Sequence, residues 1–297
     1  MNSKLAGIIL LTLGVASANA LAREGEGHIE RPYLGQKPPG SAPEPFAPGI
    51  ITTRGWEYGG VFSPDMREFY VLKRDENETT WQHVYRYREG EWHDEVLWER
   101  QGTPFIAPDG QTMHIGRAYK VRDADGWSET KRLGEAFEPF RIMRLTASAR
   151  NTYYFDEVGS AGDGRIRYSR IVDGERQAPE LAGAAINTGT WLAHPFIAPD
   201  ESYLLFDGRR EGGYGDSDIY VSFRQADGSW GEAINLGETV NTARWEASAM
   251  VTPDGKYLFF HRTVGEGDND GWMPPSSNAC DAGRRNGTRA AVRRPSP

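Results

Sequence analysis

A Pro-Asp turn set between two apolar runs recurs along this chain, and a unit that repeats constrains the fold more than any local motif does. The turn stands in Phe62-Ser63-Pro64-Asp65, Ile106-Ala107-Pro108-Asp109-Gly110, Ile197-Ala198-Pro199-Asp200 and Val251-Thr252-Pro253-Asp254-Gly255. A degenerate copy, Leu145 to Phe155, keeps the apolar flanks and carries Ser148-Ala149 where the others have Pro-Asp. Pro fixes φ at the start of a tight turn, Asp bonds the backbone two residues on, and Gly accepts positive φ. The spacing is near the ~40 to 50 residues of a propeller blade. Five units are counted directly, and the count leaves six open.

Each unit reads as four strands. The turn is followed by a run such as Phe69-Tyr70-Val71, Tyr153-Tyr154-Phe155, Leu204-Leu205-Phe206 or Leu258-Phe259-Phe260, apolar enough to be covered on both faces. A third strand follows at His83 to Tyr87, Ala118 to Val121, Ile166 to Tyr168 and Ile219 to Ser222. An acidic-Gly pair, as in Glu89-Gly90-Glu91-Trp92 or Asp227-Gly228-Ser229-Trp230, then turns the chain into a fourth. The fold class is therefore all-β: a propeller of four-stranded antiparallel blades. The last unit breaks off after Phe260, with its third strand due near Asp268 to Trp272, and Phe46 to Thr53 resembles the back half of a unit. An N-terminal strand is thus expected to complete the last blade and close the ring, which removes bare sheet edges.

The flanks are of another kind. Residues 1–20 carry Lys4, an apolar run and an Ala18-x-Ala20 cleavage pattern, which reads as a signal peptide. Residues 21–43 read as an extended arm, 44–272 as the propeller, and 273–297 as a disordered basic tail that holds the one cysteine, Cys280. Export to the periplasm or medium follows, without an internal disulfide. A net charge of −8 disfavours nucleic acid as partner, and no stretch is expected to span a membrane. A monomer is expected.

The strand, Ala-Pro-Asp turn, strand and Asp-Ile-Tyr order from Ala198 to Tyr220 resembles the WD-like β-propeller repeats of the TolB-like exported proteins, over roughly residues 44 to 262. The resemblance implies a periplasmic propeller that binds protein partners. It is specific for architecture and says little of activity, since one fold hosts many functions. The chain differs in showing five units for six blades and no separate N-terminal α/β domain.

Function is expected where the innermost strands meet. Eight residues before each turn proline stand Trp56, Arg100, Phe140, Trp191 and Trp245, followed by Glu57, Gln101, Arg141, Leu192 and Glu246. Two positions on come Gly59, Thr103, Met143, His194 and Ser248, on the same face as the second set. Val61, Phe105, Leu145, Phe196 and Met250 are assigned to packing. Trp56, Glu57, Arg100, Gln101, Arg141, Trp191, His194, Trp245 and Glu246 thus form a candidate collar for a protein, peptide or glycan ligand, rings supplying area and charges supplying direction. A binding module without catalysis is the leading expectation. The alternative is a glycan hydrolase with Glu57 and Glu246 as its carboxylates. No cofactor is required, although Asp207, Asp216 and Asp218, and likewise Glu266, Asp268 and Asp270, put acidic oxygens near glycine as calcium loops do.

Overall fold

The computed structural model describes residues 29–124, 126–159, 163–263 and 287–293. The signal peptide, Cys280 and the acidic stretch Glu266 to Asp270 lie outside the described residues. Among the described residues helix is confined to single turns at Tyr33–Gly35, Glu135–Phe137 and Gly183–Ile186. Among the described residues no helix is long and apolar enough to cross a membrane.

The rest is a β-propeller arrangement of antiparallel sheets, each a meander whose innermost strand comes first. The first sheet holds Glu57–Phe62, Glu68–Arg74, Thr80–Arg88 and Glu91–Glu99 in that order. The second holds Pro104–Ile106, Thr112–Ile115, Ala118–Asp123 and Lys131–Arg132, with Gly126–Trp127 as a fifth strand on Ala118–Asp123. The third runs Leu145–Ala147, Tyr153–Glu157, Arg165–Ser169 and Glu180–Leu181, and a separate hairpin pairs Ile171–Val172 with Glu175–Arg176. The fourth runs Thr190–Ile197, Tyr203–Arg209, Asp218–Phe223 and Ile234–Asn235.

The last sheet differs from its expected composition. Its first two strands are Glu246–Val251 and Tyr257–Thr263. The third is Gly287–Arg293, inside the stretch read as a structureless tail and not near Asp268 to Trp272. The outermost is Glu44–Pro45, paired to it antiparallel with Glu44 opposite Ala291. Phe46 to Thr53, expected to supply that strand, instead folds into a turn in which Ile51 N bonds Ala47 O at 2.8 Å. Phe46 packs edge-on against Phe259 of the last sheet and Phe62 of the first, with ring centroids 4.6 and 6.0 Å apart, so one apolar core includes all three rings.

The turns behave as their chemistry dictates. Met66, Gly110, Glu201 and Gly255 each donate their N–H to the residue just before the turn's proline and take positive φ. Asp65, Asp109, Asp200 and Asp254 accept backbone N–H groups two residues on. In the degenerate copy the residue that plays this part is Asn151, bonded to Ser148 O at 2.9 Å. Ala147 pairs with Tyr153 where Phe62 pairs with Phe69 and Ile197 with Leu204. The turn is one residue shorter there. Aligning that copy on Ser148 therefore displaces its innermost strand by one residue, which exchanges its two faces: Arg144, not Met143, stands level with His194 and Ser248, and Thr146, not Leu145, stands level with Val61.

The innermost strands of the first, fourth and last sheets share a bulge, seen as a register shift between Tyr58 and Val61, Ala193 and Phe196, and Ala247 and Met250. Gly59, His194 and Ser248 occupy it with φ of 66°, 47° and 55°. At Gly59 a side chain is doubly excluded, because a Cβ would also stand 2.9 Å from Thr103 Cγ2 of the second sheet. Gly59→Ala is expected to lower the unfolding free energy by about 1–3 kcal/mol, from left-handed strain and the clash together. Urea denaturation measures it, and an unchanged midpoint would contradict this packing.

Candidate functional site

The bulges aim one tier of residues at the middle of the molecule, where Tyr58, Arg144, Asp156, His194, Asp207 and Ser248 are buried together. The His194 imidazole lies between Asp207, 3.0 Å from Nδ1, and the Tyr58 hydroxyl, 2.9 Å from Nε2. Tyr58 Oη also meets Ser248 Oγ. Asp207 accepts Ser248 N–H at 2.9 Å, and Asp156 accepts His194 N–H at 3.0 Å. Each of these carboxylates, on the second strand of one sheet, thus takes the bulge amide of the next. Asp156 also accepts the amides of Met143 and Arg144 at 2.7 and 3.0 Å. The Arg144 guanidinium enters this space with Nη1 3.5 Å from Ala249 O and Nε without a hydrogen-bond partner.

Burial and neighbouring charge shift the pKa values at this centre. Burial lowers the arginine's basicity and raises the Asp156 carboxyl above the usual carboxylate range. Burial also works against charge on His194, but the Asp207 and Asp156 carboxylates outweigh it and raise its pKa. A hydroxyl–imidazole–carboxylate order is one that elsewhere activates a nucleophile. Here the hydroxyl is 1% exposed and already bonded twice, so the order serves to join sheets.

Of the collar read from the sequence, part converges on Tyr58. Its ring stacks between Trp56, 5.7 Å away at 18°, and Trp245, 6.2 Å away at 4°. Arg74 and Arg100 lie over Trp56 at 4.6 and 5.6 Å. Glu246, 0% exposed, accepts Thr242 N–H at 2.9 Å, the Thr242 hydroxyl at 2.7 Å and Arg262 Nε at 2.8 Å. Glu57, 2% exposed, accepts the Thr53 hydroxyl in the same i, i+4 pattern. The two glutamates are thus each tied to the loop before their own strand. Trp191 lies under Arg209, Gln101 accepts from the Thr130 hydroxyl at 2.8 Å at the surface, and Arg141 is exposed at the level of Trp56.

The aspartates considered for calcium separate. Asp207 belongs to the centre, Asp216 faces solvent beside Arg209, and Asp218 accepts Tyr214 N–H and Asn235 Nδ2 at 2.8 and 2.7 Å. Among the described residues no group of three or more acidic, His or Cys side chains is placed to hold a metal ion. Sequence reasoning missed Tyr58, Arg144 and Asp156. An aspartate eight residues after the turn's start in both the third and fourth copies was a signal for Asp156, whereas the one-residue shift hid Arg144.

An open recess lies elsewhere, on the face that carries the turns. A groove of about 780 Å³ runs between the first and second sheets, lined by Asp65, Arg67, Glu68, Arg86, Arg88 and Glu95 on one side and by Asp109, Gln111, Arg122 and Asp123 on the other. It exists because the outer strands of the first sheet are nine residues long, whereas the second sheet ends in pairs of two. At its floor burial disfavours the Glu68 carboxylate, but bonds from Arg122, Arg86 and Tyr70 hold its pKa below the usual value.

No family model matches the chain, and no curated protein matches it. Solved structures similar to it include TolB from Acinetobacter baumannii, with TM-score 0.47 and 13% identity over 82% of this chain and 55% of that one. A putative TolB from Agrobacterium tumefaciens gives 0.43 and 18% over 71% of each chain. An endo-arabinase from Bacteroides thetaiotaomicron gives 0.47 and 12% over 82% of this chain and 96% of that one. The chain thus spans little more than half the length of the first of these.

The central histidine gives a signed pH effect. Its raised pKa contributes stability that is fully present below about pH 6.5 and is lost as pH rises through the folded value. Asp156, also raised, acts in the same direction from about pH 4 upward. Unfolding free energy measured in urea at pH 6 and pH 9 is expected to fall with pH in the wild type and to fall less in His194→Gln. Equal slopes would contradict this protonation.

Proposed function

We propose that the chain is an exported, non-enzymatic binding propeller, periplasmic or secreted, that engages a protein, peptide or glycan through the groove between its first and second sheets. The observation that carries this reading is where polar groups are used up. Glu57, Glu246, His194 and Asp207 are buried and bonded to neighbouring elements, while the groove is open, wide and lined by charge. A general acid or nucleophile has to reach its substrate. Glutamates bonded to their own loops are poorly placed for the glycan hydrolase alternative. The groove has a pocket's size and presents guanidinium and carboxylate groups held rigid by one another.

The reading is tested with a peptide array, a glycan array and a glycosidase screen run on the same protein. Binding that weakens at least tenfold in an Asp123→Ala, Arg88→Ala variant, with no turnover, is expected. Turnover that disappears in Glu246→Gln would overturn it in favour of the hydrolase.

The proposal includes a ring of five blades, the last completed by Glu44–Pro45. Pairing of that strand with Gly287–Arg293 and the seating of Phe46 on Phe62 and Phe259 support it. Removing residues 22–53 is then expected to abolish cooperative unfolding in a thermal melt. An unchanged melting temperature would remove closure from the account.

A further inference from the structure

The outer strand of the first sheet stands apart from its counterparts. Glu91–Glu99 spans nine residues, whereas Glu180–Leu181 and Ile234–Asn235 at the rims of the third and fourth sheets span two. It pairs in regular register with Thr80–Arg88 from Glu91 to Val96 and, past a register shift at Leu97, through Trp98 and Glu99, and among the described residues no strand pairs with its other side. A two-residue loop, Glu89-Gly90 with φ of 53° and 86°, closes the hairpin. That loop type makes Arg88 and Glu91 a hydrogen-bonded pair, so by alternation the main-chain groups of Trp92, Asp94 and Val96 point away from the sheet. Natural edges of this length are normally shortened or covered.

We propose that this edge takes an extended, basic segment of a partner protein as an added strand, a proposal that rests on the binding reading above and names its partner class. Charge selects the occupant. The strand carries Glu91, Asp94, Glu95 and Glu99 and no lysine or arginine, so a second copy laid against it would oppose like charges, which is unfavourable. A basic strand would not. The two faces then set the pattern of that segment. One face opens on the groove, where Glu95 is bonded by Arg86 and paired with Arg88, where Arg122 is bound to Glu68, and where Asp65, Asp109 and Asp123 add further negative charge. The opposite face presents Val96, 58% exposed, beside Asp94, which is bonded to His83 and Tyr85 of the neighbouring strand. Side chains alternate along a strand, so basic residues fall on the groove side and apolar residues beside Val96. Backbone pairing supplies affinity and the alternating side chains supply specificity.

The probe is a capped nine-residue peptide of alternating lysine and valine, titrated into the full chain by fluorescence anisotropy. Saturable binding is expected, at least tenfold weaker for the same peptide N-methylated on alternate amides and for a glutamate-valine peptide. Val96→Pro removes an outward N–H without breaking a bond to Thr80–Arg88, and is expected to lose the peptide while keeping its melting temperature. Equal binding of the N-methylated peptide would overturn strand addition without relying on any variant. So would a concentration-dependent dimer of the wild type that Val96→Pro abolishes. Array ligands that bind and respond to the groove variant, with no binding of the lysine-valine peptide, would overturn this proposal and leave the binding reading standing. Glycan turnover lost in Glu246→Gln would remove the binding reading itself.

Discussion

Two buried carboxylates organise the interior. Asp156 and Asp207 each accept a backbone amide from the bulge of the following sheet, so the position of one sheet fixes the innermost strand of the next. Charged acceptors make bonds about twice as strong as neutral ones, and in a buried setting an unpaired amide or carboxylate is costly. The third, fourth and last sheets are coupled in this way, and Tyr58 carries the coupling to the first through His194 and Ser248. Arg144 and His194, whose pKa the two acids raise, lie between them. Removing one member would leave an uncompensated charge, which costs about 3–5 kcal/mol.

In that central arrangement the polar side chains hold neighbouring sheets together. The Tyr58 hydroxyl, the His194 imidazole and the Asp156 and Asp207 carboxylates are bonded across neighbouring strands, and the Arg144 guanidinium is buried among them. The same tier holds Gly59, against which Thr103 and Pro104 pack closely, and the ring of Tyr58 is stacked between Trp56 and Trp245. Rigidity at the centre frees the rim to vary. The rim does vary, from strands of nine residues in the first sheet to strands of two in the others, and this inequality opens the charged groove.

Much of the architecture was legible in the sequence because turn chemistry is local. Pro-Asp turns, acidic-Gly hairpins and apolar runs located the first three strands of the first, third and fourth sheets and the first and third of the second, and Val61, Phe105, Phe196 and Met250 are buried as assigned. The site was less legible for two physical reasons. A turn shortened by one residue reverses the two faces of a strand, so Met143 and Arg141 were placed where Arg144 and Ile142 stand. Burial is also not written in residue type: Glu57 and Glu246 read as exposed carboxylates, yet Thr53 and Thr242, each four residues earlier, cap them inside the fold. The last sheet's third strand, Gly287–Arg293, was hidden by a composition rich in arginine.

The claim that carboxylate-bound bulges lock neighbouring sheets together is open to one direct measurement, amide hydrogen exchange of the native protein resolved at His194 and Ser248. Both amides are predicted to exchange only through global unfolding, with protection equal to the full unfolding free energy. Exchange of either one at the rate of a surface-loop amide would contradict the account.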